Sequence, residues 1–230
     1  MRYKEWEDMY KRIVEDLKID VEADRKAASI LQSLLEKKKS RFKPDILKNM
    51  IEDKDIIVFG AGPSLLGNIN RNIDLISNSI LISADGATTA LIENDIQPDI
   101  IVSDLDGKIS DQIDANKKGS IVIIHAHGNN IENLIHFIPR FQGVIFGTTQ
   151  IDPSPYPLLY NYGGFTDGDR AVFLADHFKA KKIYLIGFDF NDEIGEYSFA
   201  DRKDKKLKRE KLRWCNYLIN ILNNPSIEFL

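Results

Sequence analysis

The chain has one cysteine, Cys215, in 230 residues. An internal disulfide is therefore impossible, and a zinc site of cysteine type is excluded. Cys215 reads as a small buried residue on the last helix. No apolar run approaches the roughly 18 residues of a membrane span. The opening stretch, MRYKEWEDMYKRIVEDL, is charged throughout and lacks the apolar centre of a secretion signal. Cytoplasm is the expected compartment. Neither sign of charge dominates: 31 Lys and Arg against 35 Asp and Glu leave a net charge of −4. That balance argues against a general nucleic-acid or membrane partner. It leaves room for an anionic small molecule, provided a divalent cation stands between it and an acidic protein. There is no internal repeat and no low-complexity linker.

What is present is ordinary for a globular protein, 43% hydrophobic and 29% charged, so a sizeable core is expected. Residues 1–50 read as a helical extension. Trp6, Met9, Tyr10, Ile13, Val14 and Leu17 recur at three- and four-residue spacing, and Ala27, Ala28, Ile30, Leu31, Leu34 and Leu35 repeat the pattern. Asp20 suits a cap, and Pro44 breaks the run. These helices are expected to cover a sheet or to form a homodimer contact.

Residues 51–230 change character. Short continuous apolar runs appear at residues 56–59, 80–82, 100–102, 121–124, 144–146 and 183–186, with helical segments between them. Such runs are what strands buried on both faces look like. Their alternation with helices predicts an α/β fold with an open, mostly parallel, doubly wound sheet. The basic stretch from Arg202 to Arg213 reads as one solvated helix face.

Each run is followed at once by small or polar residues, and in a parallel sheet all those ends lie on one edge. Gly60-Ala61-Gly62-Pro63-Ser64-Leu65 follows the first. Two glycines allow close backbone approach, and Pro63 suits a helix start whose free N–H groups attract an anion. A tight turn with no ligand is the alternative. Asp85 follows the second run, and Asp104 and Asp106 follow the third. If strand geometry continues, Asp104 and Asp106 point to one side. Close carboxylates repel one another unless a cation lies between them, so Asp85, Asp104 and Asp106 are candidate Mg²⁺ ligands. Helix capping is the alternative, and Asp85 also stands where a dinucleotide fold puts a ribose-binding acid. His125 and His127 end the fourth run, suited to metal, phosphate or a structural role. Asn161 to Arg170 carries three glycines, two aspartates and an arginine before a helix. It is expected to close over a ligand, with Arg170 available for phosphate, or to cap the helix through Thr166 or Asp167.

Taken together, Gly60-Ala61-Gly62-Pro63-Ser64-Leu65, Ala84-Asp85-Gly86-Ala87, Pro98-Asp99, Ser103-Asp104-Leu105-Asp106, His125-Ala126-His127-Gly128-Asn129-Asn130 and Gly163-Gly164-Phe165-Thr166-Asp167-Gly168-Asp169-Arg170-Ala171 resemble the archaeal 6-hydroxymethyl-7,8-dihydropterin pyrophosphokinase family. The resemblance spans about residues 1–190. It implies a Rossmann-like catalytic domain related to thiamine pyrophosphokinase. It also implies transfer of diphosphate from ATP to the pterin hydroxymethyl group with Mg²⁺, in tetrahydromethanopterin or folate-type cofactor synthesis. On that basis Asp85, Asp104 and Asp106 hold the metal, and His127 or a carboxylate takes the alcohol proton. Gly60, Gly62, Pro63, Ser64 and Arg170 meet the nucleotide. Gly164, Asp167, Asp169, Asp189, His125 and Asn129 face the substrate. Asn129 stands where the family's histidine loop leads one to expect an acid. Thiamine as substrate, and a sialyltransferase-like enzyme using a CMP-sugar, are the alternatives. The chain is too short after its last predicted α/β strand for the C-terminal β-sandwich of thiamine pyrophosphokinase.

Overall fold

The computed structural model describes residues 3–38, 42–191, 195–198 and 205–230. Among them eight strands form: β1 (Asp55–Phe59), β2 (Ile80–Ala84), β3 (Ile100–Ser103), β4 (Ile121–Ala126), β5 (Ile145–Thr149), β6 (Leu159–Tyr160), β7 (Lys182–Ile186) and β8 (Ile227–Phe229). They build one sheet in the order β6-β5-β4-β3-β2-β1-β7-β8, and every neighbouring pair is parallel. The six apolar runs account for the long strands. β6 and β8 were not expected.

Ten α-helices surround the sheet among the described residues: α1 (Tyr3–Leu17), α2 (Val21–Lys37), α3 (Asp45–Ile51), α4 (Leu65–Arg71), α5 (Ile73–Ser77), α6 (Asp85–Glu93), α7 (Ile109–Lys117), α8 (Ile131–Phe137), α9 (Asp167–His177) and α10 (Lys205–Ile221). Alternate residues of each strand go to opposite sides, as the period of two requires. Ile56, Val58, Ile82, Ile100, Val102, Ile183 and Leu185 join α3, α9 and α10 on one face. Ile57, Phe59 and Leu81 meet α4, α5 and α6, and Ile101, Val122, Ile124 and Ile145 meet α1, α2, α7 and α8, on the other. Burying one such side chain contributes about 1.5–3 kcal/mol, which is why the runs are apolar on both faces. The split of helices follows from handedness. Right-handed crossovers moving outward from β1 keep α4 to α8 on one face, and the return from β6 to β7 puts α9 on the other.

The N-terminal helices cover the sheet. Trp6, Tyr10, Ile13, Ala28, Leu31 and Leu35 are buried in the same cluster as strand residues Ile101 and Val122. Asp20 caps α2 by accepting from the Glu22 and Ala23 N–H groups at 3.0 and 3.1 Å. α3 starts directly after Pro44. Of the basic stretch, Arg202, Lys203 and Asp204 lie outside the described residues, and Lys205 onward forms the start of α10. No helix of the described residues is long and apolar enough to cross a membrane.

β1 lies between β2 and β7, so the chain direction of travel reverses there. The loops after β1 and β7 press together at this point. Gly60 and Gly62 donate to the carbonyls of Ile186 and Gly187 at 2.8 and 2.9 Å. A Cβ on Gly187, whose φ is +72°, would lie 2.2 Å from the Gly60 carbonyl oxygen, so neither position has room for a side chain.

Candidate active site

The C-terminal ends of the strands enclose a cavity of about 350 Å³, within the range of small-molecule sites. Its walls come from the loops after β1, β2, β3, β4, β5 and β7, the start of α9, the turn between α1 and α2, and one side of α10.

Three carboxylates meet inside it. Asp85 opens α6, Asp104 follows β3, and Asp167 opens α9. One oxygen from each lies within 4.8 Å of the others. Asp85 accepts from Ser103 Oγ at 3.1 Å and from Gln112 Nε2. Burial pushes Asp85 well up, and Asp106, Asp167 and Asp104 add to the rise. Asp167 is raised in the same way, by burial and then by Asp104. Burial alone would raise Asp104, but His127, followed by Arg170 and Lys211, outweighs it and holds that carboxyl well below the usual carboxylate range. His127 Nε2 lies 3.1 Å from Asp104 Oδ2, while Asp104 Oδ1 is buried without a partner. Two carboxylates unwilling to ionise beside one ionised carboxylate with a bare oxygen form a donor set that suits a hard divalent cation.

The sequence-derived candidates divide. Asp85, Asp104, Asp106, His127, Asn129, Gly60, Gly62, Arg170, Asp167 and Asp189 all line the cavity. Asp106 does not join the tight cluster, which takes Asp167 in its place. Strand geometry stops after β3: Leu105 adopts φ +66° and is fully buried, and Asp106 is left exposed on the rim. Solvent on one side and the cavity wall on the other leave Asp106 partly desolvated, which together with Asp104 raises it.

Pro63, Ser64, His125, Gly164 and Asp169 are not brought to the cavity wall. The anion at the start of α4 is the protein's own: Asp189 Oδ2 accepts from Ser64 N at 3.0 Å and Ser64 Oγ at 2.8 Å. His125 is buried with Nδ1 3.1 Å from Thr148 Oγ1, and burial, then Arg170 and His127, hold it well below its ordinary value, so it is neutral. Asp169 caps α9 by accepting from the Phe165 and Thr166 N–H groups, each at 2.7 Å. Gly164, at φ +86°, makes room for the backbone of Arg170, which a Cβ would meet at 2.6 Å. Arg170 reaches the wall already paired, with Asp167 at 2.9 Å and Gln150 at 3.4 Å. Both ring nitrogens of His127 are engaged, since Nδ1 accepts from Asn129 N at 3.3 Å. The ring therefore donates through Nε2 to Asp104.

Several residues that the sequence did not single out hold the site together. Asn130 Nδ2 donates to the carbonyls of Asp104 and His125, each at 2.7 Å, and fixes the loop after β4. Asp24, 1% exposed on α2, accepts from Gln150 Nε2 at 2.6 Å, from Gly128 N at 2.7 Å and from Tyr10 Oη. Hydrogen bonds thus run from Asp167 through Arg170, Gln150 and Asp24 to Gly128, next to the His127 that holds Asp104. Lys208 and Lys211 of α10 also line the cavity. The solvated-face reading of the basic stretch fails for these two, because that side of α10 packs over the strand ends.

A family model described as 6-hydroxymethylpterin diphosphokinase MptE-like matches residues 28–195. The chain is 44% identical over 227 residues to the 6-hydroxymethyl-7,8-dihydropterin pyrophosphokinase of Methanothermobacter thermautotrophicus, covering 96% of this chain and 95% of that protein. It is 43% identical to the protein of the same name from Methanocaldococcus jannaschii, with complete coverage of both. The Pyrococcus furiosus protein of that name is 38% identical, over 97% of this chain and 95% of its own. Among solved structures, the MAf glycosyltransferase of Magnetospirillum magneticum AMB-1 aligns with a TM-score of 0.48 at 15% identity, covering 89% of this chain and 38% of that one.

Proposed function

The chain belongs to the MptE-like family of 6-hydroxymethylpterin diphosphokinases, and from that membership we propose that it performs the reaction its curated relatives are named for. It is an ATP-dependent diphosphotransferase acting on 6-hydroxymethyl-7,8-dihydropterin. The structural observation that carries the reading is the meeting of Asp85, Asp104 and Asp167 in a cavity of small-molecule size.

The hydroxymethyl oxygen attacks the β-phosphorus of ATP. A new P–O bond forms, the bond between Pβ and the oxygen shared with Pα breaks, and that oxygen leaves with AMP. The hydroxyl proton must go to a base. His127 is committed to Asp104 and Asn129, so the accessible Asp106, raised by partial desolvation and by Asp104, is the group assigned to receive it. Asp85, Asp104 and Asp167 would hold Mg²⁺, which when bound offsets the negative charge of the phosphates and of the transition state. His127 keeps Asp104 ionised, and Arg170 orients Asp167. Asp189, on the wall beside Phe188, supplies an acceptor for the amino edge of the pterin. The reaction belongs to tetrahydromethanopterin or folate-type cofactor synthesis in the cytoplasm of an archaeon.

The test is release of AMP from ATP and Mg²⁺ with hydroxymethyl-dihydropterin and with thiamine, run beside release of CMP from a CMP-sugar with an acceptor. Pterin-dependent AMP is expected. Turnover of thiamine or of the CMP-sugar in its place would overturn the reading.

A further inference from the structure

The cavity is acidic. Seven aspartates line it against three lysines and one arginine, yet the reading above brings a polyphosphate into it. The other anion-binding groups near the cavity are already committed or exposed to solvent. Arg170 is paired with Asp167 at 2.9 Å. The N–H of Ser64 at the glycine loop is taken by Asp189 at 3.0 Å. Lys18 stands exposed on the turn between α1 and α2.

α10 supplies what is missing. Its cavity-facing residues Leu207, Lys208, Lys211, Leu212 and Cys215 form one helical stripe. Lys208 and Lys211 are both partly buried on it. Neither forms an ion pair or a hydrogen bond among the described residues. Lys211 Nζ sits 5.9 Å from the centre of the Phe165 ring, which holds a cation near the wall without neutralising it. Lys211 acts electrostatically on Asp104, and Lys208 on Asp106, so both charges face the carboxylate cluster across the cavity. Two partly buried lysines without an ion-pair partner among the described residues, opposite a cation-binding cluster, match an anion that bridges the two sides.

The geometry points to Lys208 and Lys211 as the pair that binds the polyphosphate of the nucleotide, on the side away from the carboxylates. This inference rests on the pyrophosphokinase reading for the identity of the nucleotide, and only for that. The lysines recognise phosphate charge, so they discriminate ATP from AMP, while nucleoside recognition lies elsewhere.

The experiment measures binding of ATP, AMP and inorganic tripolyphosphate in the presence of Mg²⁺ to the full chain and to K208Q, K211Q, the double variant and K208R/K211R. Thermal melts establish that each variant is folded. Each glutamine substitution is expected to weaken ATP and tripolyphosphate about tenfold and the pair about a hundredfold, from the worth of a charge-assisted contact. AMP should change by less than about threefold, and the arginine variant should stay within about threefold of the native chain. Unchanged ATP affinity in the double variant, or equal losses for ATP and AMP, would overturn the assignment. Native protein that fails to bind tripolyphosphate would overturn it as well. Selective loss of tripolyphosphate binding in the variants upholds it even if the native chain releases no AMP with the pterin, an outcome that removes only the pyrophosphokinase reading.

Discussion

Asp85 and Asp104 are legible in the sequence because each follows a buried strand directly, and a parallel sheet sends all such positions to one edge. Asp106 shares that signal and lines the cavity, but the left-handed backbone at Leu105 turns the chain after Asp104, and the tight trio takes Asp167. Asp167 reads as one acid of a glycine-rich loop, and only α9 folding back over the sheet delivers it to the cluster. The two positions should separate in experiment. D167N should raise the Mg²⁺ concentration for half-maximal activity at least about tenfold. D106N should leave that concentration within about threefold and lower kcat about a hundredfold. Metal titrations of the steady-state rate distinguish them, and an equal metal effect in both would remove the division of roles. A second expectation concerns pH. Burial raises Asp85 first, and neighbouring carboxylates raise it further. The folded state therefore retains a proton that the unfolded chain releases near the ordinary value of about 4. Stability from such a group is full below that value and is lost as pH rises through the raised folded value. Metal-free D85N should consequently melt above the metal-free native chain by a margin that grows from pH 5 to pH 8, and Mg²⁺ should close the gap. A margin independent of pH would contradict the assigned direction.

At the scale of elements, continuous apolar runs mark the strands that are buried on both faces, and they mark nothing shorter. β6 has two residues and β8 has three, both at sheet edges. Neither needs an apolar run, so neither announces itself. α10 shows the opposite failure. Its lysines have the spacing of a solvated face, and charge periodicity cannot tell a face in water from a face over a cavity. α9 is the element on which the site depends most, since its first turn carries Asp167 and Arg170. Asp169, fully buried, holds that turn by accepting from two backbone N–H groups. D169A should leave two donors without their acceptor, Phe165 N–H buried and Thr166 N–H partly buried, and cost about 3 kcal/mol, read as a lower urea midpoint at unchanged slope. Stability equal to native would mean that the cap is not what fixes α9.

At the scale of the molecule, the parallel architecture follows from the alternation of runs and helices, whereas the reversal at β1 does not, because strand order is set by long-range packing and not by local period. The same holds for Asp24. In the sequence it is an acid in the first turn of a helix, and in the fold it joins α1 and α2 to the loops that carry His127 and Gln150. D24N would put a donor where Gly128, Gln150 and Tyr10 all donate. A loss of about 1–3 kcal/mol is expected, together with lower turnover at saturating ATP, because the hydrogen bonds that set both Asp104 and Arg170 pass through this carboxylate. Calorimetric melting and AMP release measured on one preparation test this, and a variant that loses stability with native turnover would show that the N-terminal helices serve the fold alone.

On the ribosome, β1 emerges long before β7, its second neighbour in the sheet. Until β7 is translated, one edge of the central strand has no hydrogen-bond partner and invites pairing with any other extended chain. Asp167 arrives after most of the strands, and α10 arrives later still. A nascent chain therefore carries part of the cavity wall and gains the remainder only near the end of its synthesis.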